Sequence, residues 1–247
     1  MTAAAFGTAG WYGKLASLGD FASRRLPAEF IARWDGWLQQ VIVASREQLG
    51  SAWLEAYLTS PVWHFVEWPN AADGAAAQVR VGVLMPSVDK VGRYFPLCVA
   101  TAVPSLPARE SEWQSLLGWL DRIEAAALET LDTRRGAQQF DDALLAMPAP
   151  VPERAIGAPV AALLDMLQGQ GGPIDKDAQG PDDGALATLL VELGAQSLER
   201  TARGASLWWT GATSGTCAPL FACPGLPDAA RFTAMLRANP ADPAQPA

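Results

Sequence analysis

The chain has 247 residues, is 50% hydrophobic, and carries a formal net charge of −8 with a pI near 4.7. That length and composition support a substantial buried core, as one large domain or two small ones. The acidic balance excludes a general nucleic-acid binder, which needs a basic face to displace counterions from phosphates.

The acid is unevenly placed: twelve Lys/Arg stand against fourteen Asp/Glu through Gly136, and six against twelve beyond it. The opening "MTAAAFGTAG" has neither a cationic start nor an apolar run of signal-peptide length. No run of about eighteen apolar residues occurs, so no membrane insertion is expected. Cys98, Cys217 and Cys223 are an odd number at unremarkable spacing, which fits free thiols in a reducing compartment. These features together predict a soluble, cytoplasmic protein.

In chain order, "GWYGKLASLGDF" (10–21) has no helical period and reads as an irregular, glycine-shaped loop. Pro27 opens the first helix, with Phe30, Ile31, Trp34, Trp37, Leu38, Val41 and Ile42 as its apolar stripe and Gly50 as its C-cap. A short second helix, with Trp53, Leu54, Tyr57 and Leu58 on one face, ends at Ser60-Pro61. "VWHFVEW" (62–68), "QVRVGVLM" (78–85) and "YFPLCVATAV" (94–103) then read as neighbouring antiparallel strands. Pro96 is expected at a strand start, an edge or a bulge.

Ser111 and Gln114 form a capping-box pattern ahead of a long helix. Its predicted buried face is Trp113, Leu116, Leu117, Leu120, Ile123, Ala127, Leu128 and Leu131. A helix over 140–145 precedes the proline-rich "AMPAPVPERAIGAP", a connector that could separate subdomains. Beyond it a helix over 160–167, a Gly/Asp-rich loop over 169–184 and a helix through Leu198 are expected. "SLWWT" and "APLFAC" follow as strands, then "LPDAARFTAMLRA" as a helix and a frayed tail. The predicted fold is α/β: a layered α-β-α sandwich around a central mixed, largely antiparallel sheet.

The chemistry-bearing patterns are incomplete. "GTAGWYGKL" resembles a phosphate loop but has Thr8 where the first glycine belongs and Leu15 where Ser or Thr belongs. In "DKDAQGPDDGAL", Asp175, Asp177 and Gly180 fit a calcium loop, but Gln179 and Leu186 do not. The single histidine, His64, excludes sites built on several and reads as structural. "TSGTCAP" lacks a nucleophile elbow. Asp141 and Asp142 are adjacent on a helix and cannot face one substrate together. No metal or cofactor is therefore expected. Tryptophans on helix stripes read as core, whereas Trp11, Trp208 and Trp209 lie outside helical patterns and are candidates for partial exposure.

"GWYGKLASLGDFASRRLP", "FIARWDGWLQQ", "WLEAYLTSPVW" and "GVLMPSVDKVGRYFPL", in that order and spacing, closely resemble the N-terminal signature of TagF, a type VI secretion system-associated family. "SLWWT" and "GLPDAARFTAML" are similar to its C-terminal strand and helix. The whole chain then reads as one TagF-like domain, with a signature region over 10–146, a variable connector over 147–185, C-terminal elements over 186–238 and a tail over 239–247. The resemblance implies a cytoplasmic, non-enzymatic accessory protein that represses type VI secretion after translation, through a forkhead-associated-domain partner.

The charged residues Lys14, Asp20, Arg24 and Arg25 of the first segment, and Asp89, Lys90 and Arg93 in the turn of "PSVDKVGRYFP", are predicted to adjoin as one mixed-charge, partner-binding patch, with Trp11 as its aromatic anchor. Two alternatives stand beside this. Asp20 could pair with Arg24, Arg25 or Arg93 only to hold the fold, or Asp20, Ser87 and Asp89 could form the site of a small hydrolase.

Overall fold

The computed structural model describes residues 7–70, 78–150, 183–211 and 219–238. The predicted helix over 160–167, the Gly/Asp-rich loop up to residue 182, Cys217 and the tail lie outside the described residues, while Asp183 and Gly184, read into that loop, open a helix.

Seven strands form one sheet: β1 (Gly10–Gly13), β2 (Ala22–Arg24), β3 (Trp63–Glu67), β4 (Val79–Met85), β5 (Leu97–Val103), β6 (Ala205–Thr210) and β7 (Leu220–Pro224). Their order is β2-β1-β5-β4-β3-β6-β7, and each pairing is antiparallel. Strands from both sides of the proline-rich connector therefore share the sheet. The three strands read at 62–103 are its centre, with no parallel pair among the described residues. β1 and β2 correct the reading of 10–25 as irregular throughout. β1 hides because four residues show no alternation when both faces are covered. Its ending needs glycine: Gly13 has φ +141, and a Cβ there would run into the Pro96 carbonyl. Pro96 stands immediately before β5, where it takes no donor from the ladder.

The helices are α1 (Ala28–Leu49), α2 (Trp53–Thr59), α3 (Glu110–Leu128), α4 (Ala137–Leu145), α5 (Asp183–Thr201) and α6 (Ala229–Arg237). Phe30, Trp34, Leu38, Val41 and Ile42 put the buried stripe of α1 on one sheet face, with residues of α2 and α6 in the same core. On the opposite face, Leu116, Trp119, Leu120, Ile123 and Ala127 of α3 and Phe140 and Leu144 of α4 form the second core with Val66, Val81, Val83 and Val99. The α-β-α layering follows from two apolar sheet faces, each needing a cover.

Several helix details differ from expectation. α3 starts two residues earlier than the Ser111 pattern implies, with Arg109 at the N-cap, and the Glu112 carboxylate reaches back to the Ala108 and Arg109 N–H groups at 3.0 and 3.2 Å. Leu117, Leu128 and Leu131 are exposed while Trp119 is fully buried, because the stripe through 116, 120, 123 and 127 takes 119 and leaves 117 and 128 at its margins. In α2 only Trp53 and Tyr57 are buried, and Leu54 and Leu58 face outward. Trp208 is fully buried on the α1 side, whereas Trp209 is half-buried against the α3 side, so strand alternation leaves partial exposure to Trp209 alone.

Among the described residues no helix is long and apolar enough to cross a membrane. Cys98 and Cys223 are buried free thiols.

Candidate functional site

The β4–β5 connection is a hairpin extension: Val88 bridges Tyr94, the Asp89 N–H donates to the Arg93 carbonyl at 3.1 Å, and Gly92 turns the chain with φ +84. Asp89 holds the turn with its own side chain, Oδ1 accepting from the N–H groups of Val91 (3.0 Å) and Arg93 (2.9 Å). Its other oxygen receives Lys14 Nζ at 2.9 Å and Arg93 Nε at 2.7 Å. The Asp89 side chain is 0% exposed and that of Lys14 5%. Burial alone would raise the Asp89 pKa. The hydrogen bonds from Lys14, the Arg93 backbone and side chain, and Val91 outweigh it and hold the carboxyl well below the usual carboxylate range.

Lys14 belongs to the β1–β2 connection, and further bonds join the two loops. Ser87 Oγ donates to the Lys14 carbonyl at 2.7 Å, the Lys90 N–H donates to the Leu18 carbonyl at 2.8 Å, and the Arg93 guanidinium donates to the Gly19 carbonyl. α2 braces the turn from below, since the Tyr57 hydroxyl donates to the Ser87 carbonyl (2.9 Å) and accepts from the Ser87 N–H (3.0 Å). Burial pushes the Tyr57 phenol far up, so it stays a neutral donor.

The two segments thus adjoin as the sequence predicts, and their tip is outward-facing. Asp20, Lys90, Val91 and Arg93 are exposed there. Phe21 is 44% exposed, although its ring stacks on Tyr12, meets Phe95 edge-on at 4.8 Å and lies 5.0 Å from Lys14 Nζ. Asp20 accepts the Phe21 N–H at 2.8 Å. It pairs with none of Arg24, Arg25 and Arg93, so holding the fold by such a pair is not its role.

Three members of the predicted patch lie elsewhere. Trp11 is 0% exposed and packs on Phe140, its indole N–H donating to Asp141 Oδ1 at 2.9 Å. An anchor for a partner it is not. Strand alternation explains this: Trp11 points to the α3/α4 core and Tyr12 to the α1 side. Arg24 lies across the Trp11 ring, 5.7 Å from its centroid. Arg25, at φ 61, makes a forked pair with Asp141 at 2.7 and 2.9 Å and donates to the Ala9 carbonyl. Burial would raise the Asp141 pKa, but Arg25 and Trp11 bring it below its ordinary value. Asp142 is exposed while Asp141 is buried, so the adjacent carboxylates diverge as expected.

The residues of the hydrolase alternative sit in other bonds: the Ser87 hydroxyl on the Lys14 carbonyl, the Asp89 carboxylate between two cations, and Asp20 on its own chain. His64 is buried against Glu124 of α3 and the edge of Trp209, in a packing role. Among the described residues no three His, Cys, Asp or Glu side chains converge as a metal shell.

In the sequence Tyr57 reads only as helix stripe, and Phe21 and Val91 are not singled out, whereas Lys90 is exposed in the turn as expected. The signal for Phe21 was the one applied to Trp11, an aromatic in a glycine-bearing loop. The in-out alternation of β1 would have shifted the choice from Trp11.

The family described as TagF N-terminal domain, type VI secretion system-associated, matches residues 10–147, which contain both loops of the tip. The crystal structure of PA0076 from Pseudomonas aeruginosa PAO1 is similar over 97% of this chain and 100% of that one, with 33% sequence identity and a TM-score of 0.67. No curated protein matches significantly.

Proposed function

Because the chain belongs to the TagF family of type VI secretion system-associated proteins, we propose that it represses type VI secretion after translation, by non-covalent contact with a forkhead-associated-domain component of the machinery in the cytoplasm. Family membership supplies the process. The observation that favours contact over catalysis is the tip, where two loops are locked together by buried polar bonds and present Phe21, Lys90, Val91 and Arg93 outward. A surface ordered before binding loses little freedom on association, which is what a repressor surface needs. The groups that could have served as nucleophile and base are instead structural members of that lock. The partner-binding residues of this reading are Lys14 and Asp89 as positioning residues, with Asp20, Phe21, Lys90, Val91 and Arg93 on the surface itself.

Deleting the gene in a host with an active system should raise secretion, while transcripts and cellular amounts of the machinery's components stay unchanged. Restoring the gene should reverse the rise, and the tagged protein should retain the forkhead-associated component on purification. Raised secretion that merely follows raised component levels would overturn post-translational action.

A further inference from the structure

We propose that the tip recognises an acidic segment of its partner that also carries an apolar side chain; this rests on the tip being the partner surface. The charge placement is the first ground. The turn's one acid, Asp89, is buried beneath it and held between Lys14 and Arg93, whereas Lys90 and the Arg93 side chain, 56% exposed, stand outward. Asp20 is the single exposed carboxylate of the two loops, and its Oδ1 is taken up by the Phe21 N–H. The outward charge is therefore positive on a chain of net charge −8. At physiological ionic strength, where charges more than about 8 Å apart are largely screened, a docked segment feels this local sign more than the net charge. The chain's overall repulsion then disfavours docking of an acidic partner at acidic faces.

The apolar component is the second ground. Phe21 and Val91 are 44% and 67% exposed, one on each loop. Phe21 is fixed by Tyr12, Phe95 and Lys14 rather than free to turn inward. A half-exposed phenylalanine held in a built cradle, with Arg93 exposed on the adjoining loop, offers residue types that are enriched in protein interfaces. Nucleic acid fits poorly, because two outward cations leave few phosphate contacts on an acidic chain.

The test titrates the full chain with a short glutamate-rich peptide bearing a central phenylalanine, and with its lysine-for-glutamate counterpart, following backbone amide shifts. The glutamate peptide should move the amides of 18–21 and 89–93, and the lysine peptide should not. Lys90→Glu should weaken the glutamate peptide about tenfold and gain affinity for the lysine peptide. Phe21→Ser should weaken binding in a way that added salt does not restore. Equal binding of the two peptides, shifts confined to another face, or binding of phosphatidylserine vesicles in preference to the peptide would overturn the acidic-segment proposal. If neither peptide binds but Lys90→Glu still abolishes repression in cells, the tip stands as the partner surface and the acidic chemistry falls. If Lys90→Glu and Phe21→Ser, both folded, repress normally, the surface itself falls and the inference with it.

Discussion

Asp89→Ala should destabilise the protein by about 3–5 kcal/mol, the range for breaking a buried ion pair from one side. The substitution strands the Lys14 ammonium, whose side chain is 5% exposed, and leaves the Val91 and Arg93 N–H groups without their acceptor. The loss should depend on pH with a fixed sign. The Asp89 carboxyl is depressed in the folded chain relative to its ordinary value of 3.8. Its stabilisation is therefore complete above that value and declines as the pH falls through it towards the folded pKa. Urea midpoints of wild type and variant should lie far apart near pH 7 and approach each other below about pH 4. Lys14→Met/Asp89→Leu should recover part of the loss, because no buried charge is left alone, though the two N–H groups remain unmet. An Asp89→Ala variant as stable as wild type at neutral pH would mean that the two loops are not locked through this carboxylate.

Trp34→Ala should cost about 3–5 kcal/mol, as a large-to-small change at a closed core position. Trp34 is 0% exposed and meets Phe30, Trp37, Phe65 and Trp208 with ring centroids 4.8–6.1 Å apart, so its removal opens a cavity that four rigid rings cannot refill. Its indole N–H also donates to Glu67 at 3.3 Å, and Arg33 remains to hold that carboxylate. Trp34→Phe should therefore cost less than Trp34→Ala. Chemical denaturation reads both, and a loss below about 1 kcal/mol for the alanine variant would place α1 off the sheet.

The α1 stripe, the three central strands and the layered arrangement were legible because their apolar periods are long and single-valued. β1 and β2 were not. β1 pairs with β5 across 84 or more residues and β2 is held only by β1, and their short runs carry glycine, serine and arginine in place of a strand period. Half of the candidate surface was legible for the same reason that the other half was not. Lys14, Asp20, Asp89 and Arg93 lie on loops, where adjacency could be guessed from charge. Trp11, Arg24 and Arg25 lie on or beside strands, where the direction of each side chain is set by register with β5 and by Asp141 of α4. No local signal in the sequence reports that Asp141 is the partner, since it lies 116 residues from Arg25. Lys14 and Asp89 were read as surface charges, yet each cancels the other beneath the surface. Phe21 and Lys90, their neighbours, are the groups left facing out.

We propose that this protein represses secretion by contact through the tip. The most direct measurement is retention of the forkhead-associated component by tagged Lys90→Glu and Phe21→Ser variants, with secretion assayed in the same strains. Arg134→Glu, at an 88% exposed side chain outside both loops of the tip, serves as the control. With folding confirmed by circular dichroism, the two tip variants should lose the partner and release secretion, while the control keeps both wild-type behaviours. Folded tip variants that still hold the partner and still repress secretion would contradict the account.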